Sequence, residues 1–190
     1  MRILLACEYS GRVRDVLLAR GHDAISCDLE PSDAPGPHIQ GDVRPLLQQQ
    51  WDMLIAFPPC TYLASSGIHW NSRRPGRNLL TDEAAEFFML LVNAPIPKIA
   101  VENPIGVMST RYRKPDQIIQ PWMFGEDASK RTCLWLKNLP LLKETNPLVK
   151  SRYSNQTPSG QNNLGPSLYR ARIRSLTYQG VADAMASQWG

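Results

Sequence analysis

Four short apolar runs, each followed within three residues by a polar or ionisable side chain, constrain the fold of this chain most. The run Arg2–Cys7 precedes Glu8, "DAISCD" ends in Asp28, "WDMLIAF" leads into Cys60 through two prolines, and "IPKIAV" precedes Glu102. Apolar runs of this length are typical of buried strands. Buried strands separated by helices form parallel sheets, so we expect these four runs to lie in one.

The segments between the apolar runs carry helical patterns. Val13, Val16 and Leu17 fall on one face of a helix, which Gly21 would end. Thr81 is the expected N-cap of a helix in "TDEAAEFFMLLVNA", and "TYQGVADAMASQWG" predicts a last helix. This succession predicts an α/β fold with a mostly parallel sheet and helices on both faces.

The remaining segments have weaker signals. "PSDAPGPHIQGD" and "GIHWNSRRPGRN" are predicted as loops, and a short helical piece is expected from Asp42 to Gln50. "KRTCLWL" is predicted as a further strand, and the polar stretch from Lys143 to Arg174 as loop. No composition change marks a domain boundary, so we expect one domain over residues 1–190.

Bulk properties describe an ordinary globular chain. It is 43% hydrophobic and 20% charged, and no apolar run approaches the roughly 20 residues that span a bilayer. The amino terminus has no signal-peptide pattern. We therefore expect a cytoplasmic protein without a membrane partner.

The four cysteines do not form a metal-binding pattern. None lies in a C-x-x-C pair and no histidine cluster is near, so no zinc site is expected. Cys7, Cys27 and Cys133 lie in apolar runs and are interpreted as small buried side chains. Cys60 differs, because two prolines fix the backbone before it and polar residues follow it.

The carboxyl ends of parallel strands meet at one edge of a sheet, where ligands bind. Cys60 would there be a nucleophile, and Glu102 a general acid at a neighbouring strand end. A structural Pro-Pro turn with an incidental cysteine is the alternative. An unrelated thiol enzyme would need a base, and His69 is the histidine nearest in sequence.

The first strand–helix turn is the candidate cofactor site. Glu8, Ser10 and Gly11 occupy it, although one glycine is a weaker signal than a G-x-G-x-x-G motif. Asp28, at the end of the second strand, would hold a ribose hydroxyl. Asp42 would reach an adenine amino group. The alternative for Asp28 is a helix or turn cap.

The net charge of +4 is unevenly distributed. No Asp or Glu occurs from Thr145 through Ala182, and Arg73, Arg74 and Arg77 form a second basic cluster. The first stretch carries Lys150, Arg152, Arg170, Arg172 and Arg174. Such clusters suit a polyanion, although a solvated basic surface is the simpler reading of either one alone.

Two of these motifs resemble those of a known family. "PPCTYLASSG" resembles the Pro-Cys motif, P-P-C-Q-x-x-S, of the cytosine-C5 DNA methyltransferases, and "VENP" resembles their E-N-V motif. "KRTCLWL" is similar to the strand with their Q-x-R-x-R motif. The last helix resembles the segment that folds back on the cofactor site.

The resemblance implies a Rossmann-like methyltransferase fold, S-adenosylmethionine as methyl donor and cytosine, in DNA or as a nucleotide, as acceptor. It implies that Cys60 attacks cytosine C6 and that Glu102 engages N3 and the exocyclic amine. Lys130 or Arg131 would take the family's arginine role near the cytosine O2.

The resemblance and the basic cluster suggest further contacts. Pro58 would lie at the cofactor, and Pro59, Ser65 and Asn103 beside the substrate. The candidate substrate-binding cations are Arg73 and Arg74.

The chain also departs from the family. Only Gly11 remains of F-x-G-x-G-G, and Thr61 and Ala64 stand at the Gln and Ser positions of the Pro-Cys motif. The interval 143–177 is a reduced loop region where the family has a target-recognition domain. The expected substrates therefore include single strands, RNA and free nucleotides, or a duplex held by a homodimer. The alternative is a catalytically silent module that binds nucleic acid or a nucleotide.

Overall fold

The computed structural model describes residues 1–160, 162–165, 167 and 169–190, apart from the side chain of Ala171. The strands are β1 Arg2–Ala6, β2 Asp23–Asp28, β3 His38–Gln40, β4 Met53–Ala56, β5 Lys98–Pro104, β6 Gln117–Ile119 and β7 Thr132–Lys137. The α-helices are α1 Arg12–Ala19, α2 Ser65–Ile68, α3 Arg77–Val92, α4 Met108–Arg111, α5 Arg170–Ser175 and α6 Gln179–Trp189. Short 3-10 helices span Arg44–Gln48, His69–Ser72 and Pro121–Met123.

Within the described residues, seven strands form one sheet in the order β3-β2-β1-β4-β5-β7-β6. β1 pairs in parallel with β2 and β4, and the parallel pairing extends outward to β3 and β5. β7 runs antiparallel to both β5 and β6. The predicted α/β fold with a mostly parallel sheet is confirmed.

Alternate residues of the central strands pack into two different layers. Leu4 in β1 contributes to the layer that holds Phe88 of α3. Leu5, the next residue, contributes to the layer that holds Val13 of α1 and Met185 of α6. This two-residue period places helices on both faces, as expected. None of the described helices combines the length and the apolar character needed to cross a membrane.

The chain leaves β1 and β4 in opposite directions along the sheet. From β1 it proceeds to β2, on one side, and from β4 it proceeds to β5, on the other. A crevice therefore opens between the carboxyl ends of β1 and β4, which is where ligands bind in open α/β sheets. Glu8 follows β1 and Cys60 follows β4, so these two candidate residues lie beyond the strand ends that border this crevice.

Several predictions of local structure were wrong. The predicted loops contain the short strand β3, the last two residues of α2, the helical turn His69–Ser72 and the first two residues of α3. The region 143–174, predicted as loop, includes most of α5. α3 begins at Arg77, after Gly76 with φ 75°, so Thr81 is not its N-cap. Thr81 is buried inside the helix, and its hydroxyl donates to the Tyr62 carbonyl at 3.2 Å.

Candidate active site

The turn after β4 holds Cys60 at the edge of the crevice. The Phe57 N–H donates to the Ala6 carbonyl at 2.9 Å, which extends the pairing with β1 by one residue. The two prolines that follow have no N–H group with which to continue this ladder. The Cys60 carbonyl then accepts hydrogen bonds from Leu63 and Ala64, at 3.0 and 2.9 Å. Cys60 is thus exposed on a tight, hydrogen-bonded turn.

Asn103 fastens this turn to β5. Its Nδ2 donates to the Pro58 carbonyl at 2.9 Å, and the residue is only 1% exposed. Its Oδ1 has no hydrogen-bond partner within the described part of the chain. The structure therefore places Asn103 beneath the Pro-Cys turn, while Pro59 and Ser65 lie exposed on either side of Cys60.

A second contact joins the same turn to the loop after β5. The Val107 N–H donates to the Leu63 carbonyl at 2.9 Å. A Cβ atom on Gly106 would lie 1.9 Å from that carbonyl oxygen, so only glycine fits. The loops that follow β4 and β5 consequently form one packed unit.

Glu102 faces Lys130 at this edge. Glu102 lies near the end of β5, where it pairs with Leu134 of β7, and Lys130 precedes β7. The Lys130 Nζ is 4.0 Å from the Glu102 Oε1 and donates to the Arg174 carbonyl at 3.0 Å. Arg131, the other candidate for the arginine role, is exposed. Of the two cations, the structure brings Lys130 to Glu102.

The groups around Cys60 shift the pKa of its thiol in both directions. Although the residue as a whole is exposed, neighbouring protein atoms displace enough water to raise the pKa of the Cys60 thiol, and the Glu102 carboxylate raises it further. The charges of Lys130 and Arg174 lower this pKa. Cys60, Glu102 and the two cations are therefore close enough to interact.

A small cavity adjoins Glu102. Phe57, Glu102, Lys130 and Tyr178 are among its lining residues, and its free volume of about 20 Å³ suffices for about one water molecule. Ser175 and Thr177 form part of its wall. A pyrimidine ring does not fit there unless this wall moves outward.

Glu8 is the most buried of the three carboxylates proposed for the cofactor site, which are Glu8, Asp28 and Asp42. It is 4% exposed, its Oε1 accepts a hydrogen bond from the Ser10 hydroxyl, and its Oε2 finds no partner among the described residues. Burial raises the pKa of Glu8, and the Ser10 hydrogen bond opposes that shift. An unpaired buried carboxylate oxygen suits a cationic ligand group.

Gly11 has a structural reason to be glycine. Its φ is 77°, and a Cβ atom would lie 2.6 Å from Arg14 Nη2 and 2.9 Å from Ala34 Cβ. The fully buried Arg14 occupies the space that the sequence suggested for a ligand. The side chains of Arg14 and Ala34, and not a ligand, therefore approach the Gly11 backbone closely.

Asp28 and Asp42 lie beside the same turn. Both charges raise the pKa of Cys7, which burial brings to about 12. Burial also raises the pKa of Asp28, and its Oδ1 accepts from the Glu30 N–H at 3.0 Å. Hydrogen bonds from Arg44 lower the pKa of Asp42. The carboxylates of Asp28 and Asp42 are therefore close enough to Cys7 to act on its thiol.

The segment Arg172–Thr177 lies across the loop after β1. The Tyr9 hydroxyl donates to the Arg172 carbonyl at 3.1 Å, and Arg172 forms an ion pair with Asp33. The Arg12 Nη1 donates to the Thr177 carbonyl at 2.8 Å. Because the Arg174 carbonyl also accepts from Lys130, one segment touches both the cofactor side and the Cys60 side of the crevice.

Arg73 and Arg74 are exposed on the segment that follows α2. The Cζ atoms of Arg73 and Arg74 lie 5.8 and 4.6 Å from the centroid of the Trp70 ring. Within the described part of the chain, neither arginine contacts Cys60 directly.

Sequence reasoning missed Gly106, Gln120 and Tyr9. The Gln120 Oε1 accepts from the Lys130 N–H at 2.9 Å, and Tyr9 contacts residues more than 160 positions away. The glycine two residues after "VENP" was the one local signal. The Gln120–Lys130 contact spans ten residues and the Tyr9 contact spans 163, and neither leaves a recognisable pattern in the sequence.

No protein-family model and no curated protein sequence matches the chain. Among solved structures, it is similar to a candidate DNA modification methyltransferase encoded within an E. coli prophage, at 15% identity and a TM-score of 0.46. The match covers 73% of this chain and 48% of that one, so the chain spans about half the length of that structure.

Proposed function

We propose that this protein transfers a methyl group from S-adenosylmethionine to C5 of cytosine, in DNA or in a cytosine nucleotide, through a covalent adduct with Cys60. Residues 1–190 act as one catalytic domain in this proposal, and 143–177 stand in place of a target-recognition domain. The observation that carries it is the meeting of a thiol, a carboxyl group and two cations at the carboxyl ends of β4 and β5.

Cys60 supplies the nucleophile. Its thiolate forms a bond to cytosine C6, and the displaced electron pair moves towards N3 and C5. The fixed turn before Cys60 holds the sulfur in place for this attack. After C5 is methylated, loss of the C5 proton to a base breaks the C6–S bond and releases the Cys60 thiolate, and N3 returns its proton to Glu102, which restores the neutral ring.

Glu102 supplies the proton that this addition needs at N3. Protonation of Glu102 also removes the negative charge that raises the pKa of Cys60, so the acid and the nucleophile support each other. Lys130 stabilises the anionic form of either group and, beside the ring, can donate to the cytosine O2.

The residues after β1 and β2 fit the proposed cofactor. The unpaired Glu8 Oε2 can accept from the ammonium group of the methionine part, and Asp28 can accept from ribose hydroxyls. Asp42 remains the candidate for the adenine amino group and Pro58 for the wall of the pocket. When bound, S-adenosylmethionine supplies an electrophilic methyl group.

The second candidate is a silent module that binds nucleic acid or a nucleotide. The raised pKa of Cys60 and the small free volume beside Glu102 favour it, because both disfavour reaction in the free protein. The basic clusters serve either candidate.

Labelled S-adenosylmethionine tests both. The protein is incubated with duplex DNA, single-stranded DNA, tRNA, dCMP and dCTP, and label transfer is measured with wild type and Cys60→Ser. Label transfer by the wild type that is lost in Cys60→Ser supports the methyltransferase. Binding of a panel member without transfer supports the silent module.

A further inference from the structure

We propose that His69, Trp70, Arg73 and Arg74, here called the Trp70 surface, bind a single strand of DNA, with Trp70 stacking on a base next to the cytosine at Cys60. The identity of that cytosine rests on the proposed function. The surface itself rests on exposure, charge and attachment to the Cys60 turn.

The Trp70 side chain is unusually open for its type. Trp70 is 38% exposed, whereas tryptophan is highly buried on average. The His69 ring centroid is 4.9 Å away, and the Arg74 guanidinium lies 4.6 Å from the indole centroid. Aromatic rings with adjacent cations bind successive bases and phosphates of single strands.

The charge around Trp70 is uncompensated within its own stretch of sequence. No Asp or Glu occurs between Asp52 and Asp82, while Arg73, Arg74 and Arg77 fall in this stretch. Arg73 and Arg74 are exposed beside the indole. A phosphate backbone is the ligand that an exposed cation pair next to an aromatic ring suits best.

Arg77 and Thr81 fix the surface to the catalytic turn. The Arg77 Nη2 donates to the Thr61 carbonyl at 3.1 Å, directly after Cys60. The Asn71 Nδ2 donates to the Thr81 hydroxyl at 2.9 Å, and that hydroxyl bonds to Tyr62. Residues within and next to the Trp70 surface in sequence are therefore hydrogen-bonded, directly or through Thr81, to the turn that carries Cys60.

The exposed indole favours a single strand over a duplex. Stacking needs a base whose face is free, and the faces of bases inside a duplex are already stacked on one another. A duplex cytosine would also have to be flipped out to reach Cys60, at the cost of unstacking. In a single strand the target and its neighbour are available at lower cost.

Fluorescence anisotropy with a labelled single-stranded DNA containing one cytosine tests the proposal without any chemistry. Wild type, Trp70→Ala, Trp70→Phe and Arg73→Ala/Arg74→Ala are compared on this strand, its duplex and the equivalent RNA. Arg20→Ala/Lys114→Ala is the charge-matched control, because both residues are exposed at the amino edge of the sheet. Circular dichroism checks that each variant is folded.

We expect wild type to bind the single strand more tightly than the duplex or the RNA. Trp70→Ala should weaken this binding about tenfold, while Trp70→Phe retains most of it. The double arginine variant should lower the slope of log affinity against log salt by about 1.4, since each lost phosphate contact contributes about 0.7. The control variant should match wild type.

Unchanged binding by Trp70→Ala, equal losses in the control variant, or tighter binding of duplex or RNA would each overturn the proposal. Its failure is distinguishable from failure of the proposed function. If methyl transfer to dCMP occurs but Trp70→Ala binds the strand normally, only the surface is refuted. If Trp70→Ala loses strand binding and no substrate is methylated, only the chemistry is refuted.

Discussion

The turns after β1 and β4 both carry a cysteine at the carboxyl edge of the sheet, yet their surroundings differ. Burial and the charges of Asp28 and Asp42 raise the pKa of Cys7 to about 12. Cys60 is exposed, and Lys130 and Arg174 partly offset the effect of Glu102 on its thiol. The first turn buries its thiol beside two carboxylates, whereas the second exposes its thiol and places two cations beside it, so a strand-end cysteine becomes a candidate nucleophile only through its neighbours.

The largest expected difference between the two turns is in catalysis. Cys60→Ser should reduce methyl transfer by at least about 10³-fold, because a serine hydroxyl is a poor nucleophile without an activating base. Cys7→Ser should stay within a few-fold of wild type. Label transfer from S-adenosylmethionine measures both, and calorimetry checks cofactor binding. Full activity of Cys60→Ser would contradict the covalent mechanism.

The next effect concerns the acid beside Cys60. Glu102→Gln should lower kcat by about 10²-fold or more, as expected for loss of a general acid. Glu86→Gln, an exposed change on α3, removes the same charge away from the site and should leave kcat unchanged. Equal rates for Glu102→Gln and wild type would remove Glu102 from the chemistry.

A smaller effect should appear in stability. Gly106→Ala forces a Cβ atom against the Leu63 carbonyl and should lower the free energy of unfolding by about 1–3 kcal/mol, as overpacking does. No atom lies within 4 Å of the Cβ position at Gly41, so Gly41→Ala is the matched control. Urea denaturation followed by circular dichroism measures both. If Gly106→Ala were as stable as the wild type, Gly106 would not be needed for the packing of the Cys60 turn against the loop after β5.

The smallest effect is a change in thiol reactivity, for which direction is decisive. The rate of Cys60 alkylation by iodoacetamide should increase with pH and level off. The pH at which it is half-maximal should be higher than for an ordinary thiol, because the pKa of Cys60 is raised. Glu102→Gln removes a negative neighbour and should move this midpoint to lower pH, whereas Lys130→Met removes a positive one and should move it higher. Mass spectrometry of the Cys60 peptide follows the reaction at each pH. Shifts in the opposite sense would separate Cys60 from these two charges.

Sequence reasoning predicted the long, strongly patterned elements and missed the short ones. β1, β2, β4, β5, β7, α1 and α6 were each expected from an apolar run or a helical period, and all are present. β3 and β6 have three residues each, too few for a two-residue period to be recognised. The start of α3 was misjudged because Gly76, not a side-chain cap, precedes it.

At the candidate site, sequence reasoning found the residues that follow strands and missed those that hold them. Strand ends must meet at one edge of a parallel sheet, so Cys60 and Glu102 could be paired without coordinates. The contacts of Asn103 with Pro58, and of Lys130 with Arg174, depend on how loops fold over that edge. No local pattern encodes such contacts.

The segment Arg172–Thr177 links the two turns in a way that affects the order of binding. It contacts the loop after β1 through Tyr9 and Arg12, and Lys130 through the Arg174 carbonyl. A ligand that displaced it on one side would also free the other side. The first ligand would then bear the cost of displacement and a second would bind more tightly, so the segment would couple the two sides with positive cooperativity.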